Sequence, residues 1–127
     1  MTLSKTVERA DNLRPNPFEE EQKVRWLSEL DGKISREVLK TDSFSGYDYS
    51  KDSEKELILP DEYADVYLFY LCAMIDFFSR DYSEYNNSME MFNSAFSGFL
   101  SAYQRGDVKL FKDGGGVRAD GYYKNIF

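Results

Sequence analysis

Residues 83–105 read SEYNNSMEMFNSAFSGFLSAYQR and give the clearest indication of a helix in the chain. Large apolar residues recur at alternating steps of four and three, the spacing of a seam that packs against a neighbouring helix; they are Tyr85, Met89, Phe92, Phe96, Phe99 and Tyr103. Gly106 is expected to end this helix, because glycine readily adopts the left-handed conformation that follows a helix C-terminus. The small residues Ala95, Gly98 and Ala102 predict a place where another backbone can approach closely.

The segment before this helix predicts a second one that is more deeply buried. Pro60 is expected to start it, with Asp61 and Glu62 in a first turn where negative charge suits the helix dipole. Its apolar residues occupy most faces, so we expect it to be covered on more than one side; they are Val66, Tyr67, Phe69, Tyr70, Leu71, Met74, Ile75, Phe77 and Phe78. A tight turn at Arg80–Ser83 would then make the two helices antiparallel.

Two further helices are predicted in the N-terminal part of the chain. The first spans Thr2–Leu13, with an apolar face formed by Leu3, Val7 and Ala10. After a break at Arg14–Pro17, the second is expected to have Asn16 as its cap and Pro17 as its first residue, and to run to about Lys40. Trp26 falls at the edge of its inner stripe, which consists of Leu27, Leu30, Ile34 and Val38.

The fold class predicted from these elements is all-α, a small bundle of about four helices. Residues 41–59 form a long loop between helices 2 and 3; loops of this length are uncommon in compact domains and often functional. Glu56–Leu59 in this loop is a candidate for one short extended strand. We expect a helical domain over residues 1–106 and an extended C-terminal tail over residues 107–127.

The C-terminal tail contains the residues that the sequence marks for partner docking. Gly114, Gly115 and Gly116 predict a hinge, since three consecutive glycines are too flexible for a packed element. The residues beyond them are too apolar for a solvated tail, and we expect them to bind a partner; they are Val117, Arg118, Tyr122, Tyr123, Ile126 and Phe127. The alternative is a frayed terminus, which is common in small domains.

Composition excludes most classes of enzyme. The 127 residues include no histidine and a single cysteine, Cys72, so Ser-His-Asp and Cys-His sites, a cysteine zinc site and an internal disulfide are all excluded. The run Gly114–Gly116 matches no phosphate-binding loop, and the paired acids occupy first turns of predicted helices. We therefore expect no catalytic residue, no metal and no cofactor.

The longest apolar run, Val66–Ile75, is too short to span a membrane, and we expect synthesis in the cytoplasm.

The order of several segments resembles small head-morphogenesis proteins of tailed bacteriophages that infect Gram-positive hosts. The resemblance covers roughly residues 3–105 and rests on NPF at 16–18, RWLSELDGKI at 25–34, GYD at 46–48, LILPDEY at 57–63, and EYNNSM with MFN at 84–93. Within that group the chain is most similar to the head–tail connector, or adaptor, family. The glycine hinge and the Tyr122–Tyr123 end have no counterpart in this resemblance.

The resemblance implies a structural protein of the virion rather than an enzyme. Such a protein would form a ring of about twelve copies under the portal protein, at the junction of head and tail. It would extend the channel through which DNA passes without specific binding, and offer a platform for a stopper or tail-completion protein. Its partners would be the portal, neighbouring copies of itself and that next component, with no membrane involved.

The net charge of −7 leaves two other classes of function open. Residues 104–127 carry +2, so the rest of the chain carries −9, and an acidic phage protein could instead regulate a host factor by mimicking nucleic acid. Its acids are interleaved with basic residues, which is more typical of an ordinary solvated surface. Direct nucleic-acid binding would rest on a small basic patch and would be weak and salt-sensitive; the patch comprises Arg105, Lys109, Lys112 and Arg118.

Overall fold

The computed structural model describes residues 1–110, and within this range the all-α prediction is confirmed. Its four α-helices are α1 (Leu3–Leu13), α2 (Glu20–Lys33), α3 (Ala64–Phe78) and α4 (Tyr82–Gln104). A π-helical turn over Ile34–Val38 continues α2, and a 3-10 turn over Asp61–Tyr63 leads into α3. α3 contacts all three other helices, which confirms the central position that its apolar faces predicted.

The α3–α4 pair forms the most extensive helix contact in the described residues. Arg80 turns the chain with a φ of 64°, and the Asp81 side chain caps α4 by accepting a hydrogen bond from the Glu84 amide at 3.3 Å. The predicted seam faces α3: Phe92, Phe99 and Tyr103 are buried, and the other members are half-buried. Gly106 ends the helix with a φ of 83°, as expected.

The prediction that another backbone packs closely against the small residues of α4 is only partly confirmed. Ala102 is buried, but among residues 1–110 a Cβ added at Gly98 would meet nothing within 4 Å apart from the adjacent residues and backbone of its own helix. The phase of the seam explains this, because Phe99 points into the bundle and Gly98 therefore lies on the exposed side. Past Gly106 the chain remains packed on the core through Val108 and Leu110.

α1 follows its prediction closely, whereas the start of α2 was predicted wrongly. Thr2 caps α1, and its hydroxyl accepts a hydrogen bond from the Lys5 amide at 3.2 Å. Asn16 does not cap α2: its amide nitrogen donates to Asp11 Oδ1 at 3.0 Å and its oxygen accepts from the Phe18 amide at 3.0 Å. These bonds fix an extended linker, and α2 begins only at Glu20.

Residues 41–59 form an irregular segment, and the strand considered at Glu56–Leu59 is absent from the described residues. Only one isolated antiparallel bridge forms there, between Glu56 and Thr2. It cannot extend, because the chain turns into α1 at Leu3. Leu57, Ile58 and Leu59 are nevertheless buried in the core, so this end of the segment packs as part of the bundle.

A buried carboxylate fixes this segment to the helices. Asp31 on α2 is fully buried and accepts hydrogen bonds from the Tyr67 hydroxyl at 2.6 Å, the Ile58 amide at 3.1 Å and the Tyr47 hydroxyl. The Tyr67 hydroxyl in turn accepts from the Leu59 amide at 2.8 Å. Burial, together with the adjacent Asp31 charge, raises the pKa of Tyr67 well above its usual value of about 10.0. This group, the Asp31 cluster, therefore joins α2, α3 and the long segment.

A second buried carboxylate joins α1, α3 and α4. Asp76, 3% exposed, accepts from Arg14 Nη1 at 2.6 Å and from Ser88 Oγ at 2.7 Å. Glu84 lies 3.5 Å from the same arginine nitrogen. The cation and the hydroxyl satisfy a charge that would otherwise be costly to bury.

Candidate interaction surface

The residues that the sequence predicted for docking all lie outside the described residues. This applies to the hinge Gly114–Gly116 and to the tail residues Val117, Arg118, Tyr122, Tyr123, Ile126 and Phe127. Their role stays a prediction. The described part of the chain has a different candidate interaction surface, at the corner where α3 turns into α4.

Aromatic side chains are exposed together at this corner. Phe77, Phe78 and Tyr82 are 41%, 49% and 54% exposed, and Tyr85 beside them is half-buried. The Phe77 ring lies 5.1 Å from Phe78, 5.9 Å from Tyr82 and 5.3 Å from Tyr85, measured between ring centres. These four residues form one contiguous surface, the corner patch.

The corner patch rests on a rigid aromatic base. Phe78 stacks on Trp26 of α2 with ring centres 5.5 Å apart and planes only 9° from parallel. The Phe18 ring packs edge-on against the same indole, with ring centres 6.0 Å apart. Trp26 itself is buried, more deeply than its predicted place at the edge of the α2 stripe suggested. The Trp26 indole therefore contacts both Phe18 and Phe78, and it supports the exposed Phe78 ring from the side of the bundle.

The extent of the patch distinguishes it from other exposed apolar residues. An aromatic side chain buries about 150–250 Å² when fully covered, so three that are roughly half exposed present about 300 Å². That lies within the range of the largest apolar patches on monomeric proteins, which are often functional. The described residues expose three other large apolar side chains, Leu13, Tyr49 and Met91; only Tyr49 among them is aromatic, and it has no ring contact with the patch.

The surroundings of the corner patch are mainly acidic. Asp81 and Glu84 occupy the start of α4, and the exposed residues 19–21 follow Phe18 at the start of α2. The basic residues of this rim are Arg80, Arg25 and Arg14, and the Arg14 guanidinium lies 3.5 Å from Glu84. A shallow groove of about 330 Å³ adjoins Phe18 and is lined by Pro17, Phe18, Glu19, Glu21, Gln22 and Arg25. An aromatic surface with an acidic rim suits a partner that offers aromatic and basic side chains.

Other groups in the described residues offer little for chemistry. The Asp31 cluster is enclosed and its carboxylate is already bound by donors. Cys72 is buried, and this burial raises the pKa of its thiol. Residues 1–110 contain no group of three or more side chains suited to hold a metal ion. Of the predicted basic patch, Arg105 pairs with Asp107 at 2.9 Å, Lys109 is exposed, and Lys112 and Arg118 lie outside the described range.

Sequence reasoning missed the corner patch, although a signal for it was present. Phe77 and Phe78 were counted among the apolar faces of a central helix. Adjacent positions on a helix point about 100° apart, and at the last turn before a tight corner no further element remains to cover both. Two adjacent aromatic residues directly before the Arg80 turn were thus a sign of exposure.

No helix among residues 1–110 combines the length and the apolar character needed to cross a membrane. No family model matches the chain, and its comparison with curated proteins and with solved structures gives no significant match either.

Proposed function

We propose that this protein is a non-catalytic structural protein that works by assembling with partners, as a head–tail connector of a tailed bacteriophage. In this role it forms a ring under the portal protein in the virion, extends the DNA channel and carries a stopper or tail-completion protein. The observation that carries the assembly role is the corner patch, an exposed aromatic surface on a rigid base. The phage assignment rests on the resemblance of residues 3–105.

The charge of the body is consistent with a channel that lets DNA pass. Residues 111–127 hold three basic and two acidic residues, which leaves −8 for residues 1–110. A surface of that sign repels phosphates, so DNA would slide along it without being retained. The ion pair between Arg105 and Asp107 further reduces the basic patch that could hold a nucleic acid.

The proposal is tested by electron microscopy of a portal mixed with this protein. We expect an added ring of density on the portal, and we expect it to be lost in the double variant Phe77→Ser, Tyr82→Ser. Met91→Ser is the matched control, since Met91 is 51% exposed and lies six residues beyond Tyr85 on α4, about 9 Å further along the helix. A portal that gains no density with the wild-type protein would refute the connector role.

The main alternative is a small acidic phage protein that regulates a host factor. The net charge of −8 on residues 1–110 favours this alternative. The corner patch would then contact a host enzyme rather than a neighbouring copy in a ring. The two functions differ in where the protein is found. Mass spectrometry of purified virions would detect a connector in stoichiometric amounts, whereas a regulator would be absent from virions and recovered with its host target.

A further inference from the structure

We propose that the corner patch of one copy binds the aromatic C-terminal segment, residues 117–127, of a second copy. The inference rests on the proposed assembly role and specifies the contact between copies. Two unmatched features of the chain motivate it. The described body exposes an aromatic patch that nothing within residues 1–110 covers, and the remainder of the chain is rich in apolar residues.

The chemistry of the segment matches that of the patch. The segment carries five large apolar residues, two basic residues and one acidic residue, which gives it a side-chain charge of +1; they are Val117, Tyr122, Tyr123, Ile126 and Phe127, with Arg118, Lys124 and Asp120. Tyr and Phe rings can pack edge-on against Phe77 and Tyr82. Arg118 and Lys124 would meet the acidic rim at Asp81, Glu84 and residues 19–21, or the face of an exposed ring.

The point where the described chain ends argues for a second copy. The patch lies at the N-terminal end of α4, and the 23 residues of this helix span about 35 Å. Leu110 is four residues beyond Gly106, so the chain returns along the helix by at most about 13 Å and stays about 20 Å or more from the patch. The 12 residues from Leu110 to Tyr122 could span at most about 40 Å if they were fully extended. Docking on its own patch would therefore use half or more of that maximum span, whereas the patch of a neighbouring copy can lie next to the point where the described chain ends.

A contact between copies has a definite symmetry. The segment leaves one end of the bundle and the patch lies at the other, so each copy gives one segment and receives one. Such head-to-tail contacts are heterologous, and they close into a ring when the rotation between copies permits. The proposed connector requires contacts of this type.

The test is a mixing experiment with full-length proteins in analytical ultracentrifugation. One variant lacks the patch (Phe77→Ser, Tyr82→Ser), and one lacks the segment's rings (Tyr122→Ser, Tyr123→Ser, Phe127→Ser). Each alone should remain monomeric at concentrations where the wild type and the control Met91→Ser associate. The equimolar mixture should form dimers and nothing larger, because the two variants together can build only one intact patch–segment contact.

Different results would overturn the inference. If the mixture stays monomeric, the segment binds its own chain or does not bind the patch. If the segment variant still associates alone, the patch binds another surface. These results leave the connector proposal standing, since that is decided by density on the portal.

A second measurement applies if the wild type does not associate by itself. Trp26 is the only tryptophan and stacks directly under Phe78, so its fluorescence reports on the patch. A synthetic peptide of residues 117–127 should change this emission in a saturable way in the segment variant. In a protein carrying both the patch and the segment substitutions, the peptide should bind at least tenfold more weakly. No saturable change, or an equal change in both proteins, would overturn the inference.

Discussion

Replacing Asp31 with alanine should destabilise the protein more than almost any other single substitution on α2. Asp31 is fully buried and accepts hydrogen bonds from Tyr67, from the Ile58 amide and from Tyr47. Tyr67 and Ile58 are themselves buried, so their donors lose an acceptor and gain no water. A buried donor left without a partner costs about 1–3 kcal/mol.

The expected loss can be worked out from these partners. Two buried donors at about 1–3 kcal/mol each give a loss of about 2–6 kcal/mol, and half-buried Tyr47 adds little because it can turn to water. Domains of this size have unfolding free energies of about 5–15 kcal/mol, so the variant should keep only part of its stability.

Urea unfolding followed by far-UV circular dichroism measures this loss. We expect a lower midpoint with little change in the dependence on urea concentration, since the surface exposed on unfolding is nearly the same. Glu29→Ala on the exposed side of α2 is the control and should change stability by less than about 0.5 kcal/mol. A loss below about 1 kcal/mol for Asp31→Ala would mean that the cluster does not hold the long segment to the helices.

Three further predictions concern other buried groups. Above about pH 10.0 the free energy of unfolding should fall as pH rises, because Tyr67 loses its proton in the unfolded chain but keeps it when folded. Urea midpoints between roughly pH 9 and pH 11 should show this fall, and a weaker one in Tyr67→Phe. Cys72 is only 4% exposed and its pKa is raised, so its thiol should react with a chromogenic reagent at least a hundredfold more slowly in the native protein than in urea. Equal rates in the two conditions would contradict its burial. Arg14→Met removes the cation beside Asp76 and should lower the free energy of unfolding, measured in urea, by about 1.5–3 kcal/mol. The loss is smaller than for a fully buried pair because the Arg14 side chain is 31% exposed. The control Lys5→Met should leave the free energy of unfolding nearly unchanged.

The helices could be predicted from the sequence where one apolar pattern dominates. The seam of α4 and the apolar faces of α3 placed both helices and their antiparallel contact, because each pattern needs a covering neighbour. The start of α2 could not be predicted in the same way. Asn16 has the chemistry of a helix cap, but its side chain binds Asp11 and the Phe18 amide instead. A cap motif shows only which local hydrogen bond a side chain can form, and here contacts with other parts of the fold gave Asn16 different partners.

The buried polar groups show a different limit of sequence reasoning. Asp31 lies one turn after Leu27 and one turn before Ser35, on the inner face of α2 and its π-helical continuation. A charged residue at an inward position indicates a buried polar contact, so this feature could be predicted from the sequence. Its partners Tyr47 and Tyr67 are 16 and 36 residues away, and no spacing rule connects them. The corner patch likewise depends on which faces the other helices leave uncovered, and only the folded arrangement determines that.

The bonds that anchor the N-terminal residues imply an order of events during synthesis. The Leu3 amide donates to the Lys55 carbonyl at 2.9 Å, the Leu57 amide donates to the Met1 carbonyl at 3.1 Å, and α1 packs mainly on α3. A ribosome adds about 5–20 residues per second, so the stretch of about 50 residues between α1 and α3 takes roughly 3–10 s to make. Throughout that interval the apolar face of α1 lacks its main partner. Until α3 is made, a chaperone therefore has several seconds in which to bind the apolar face of α1.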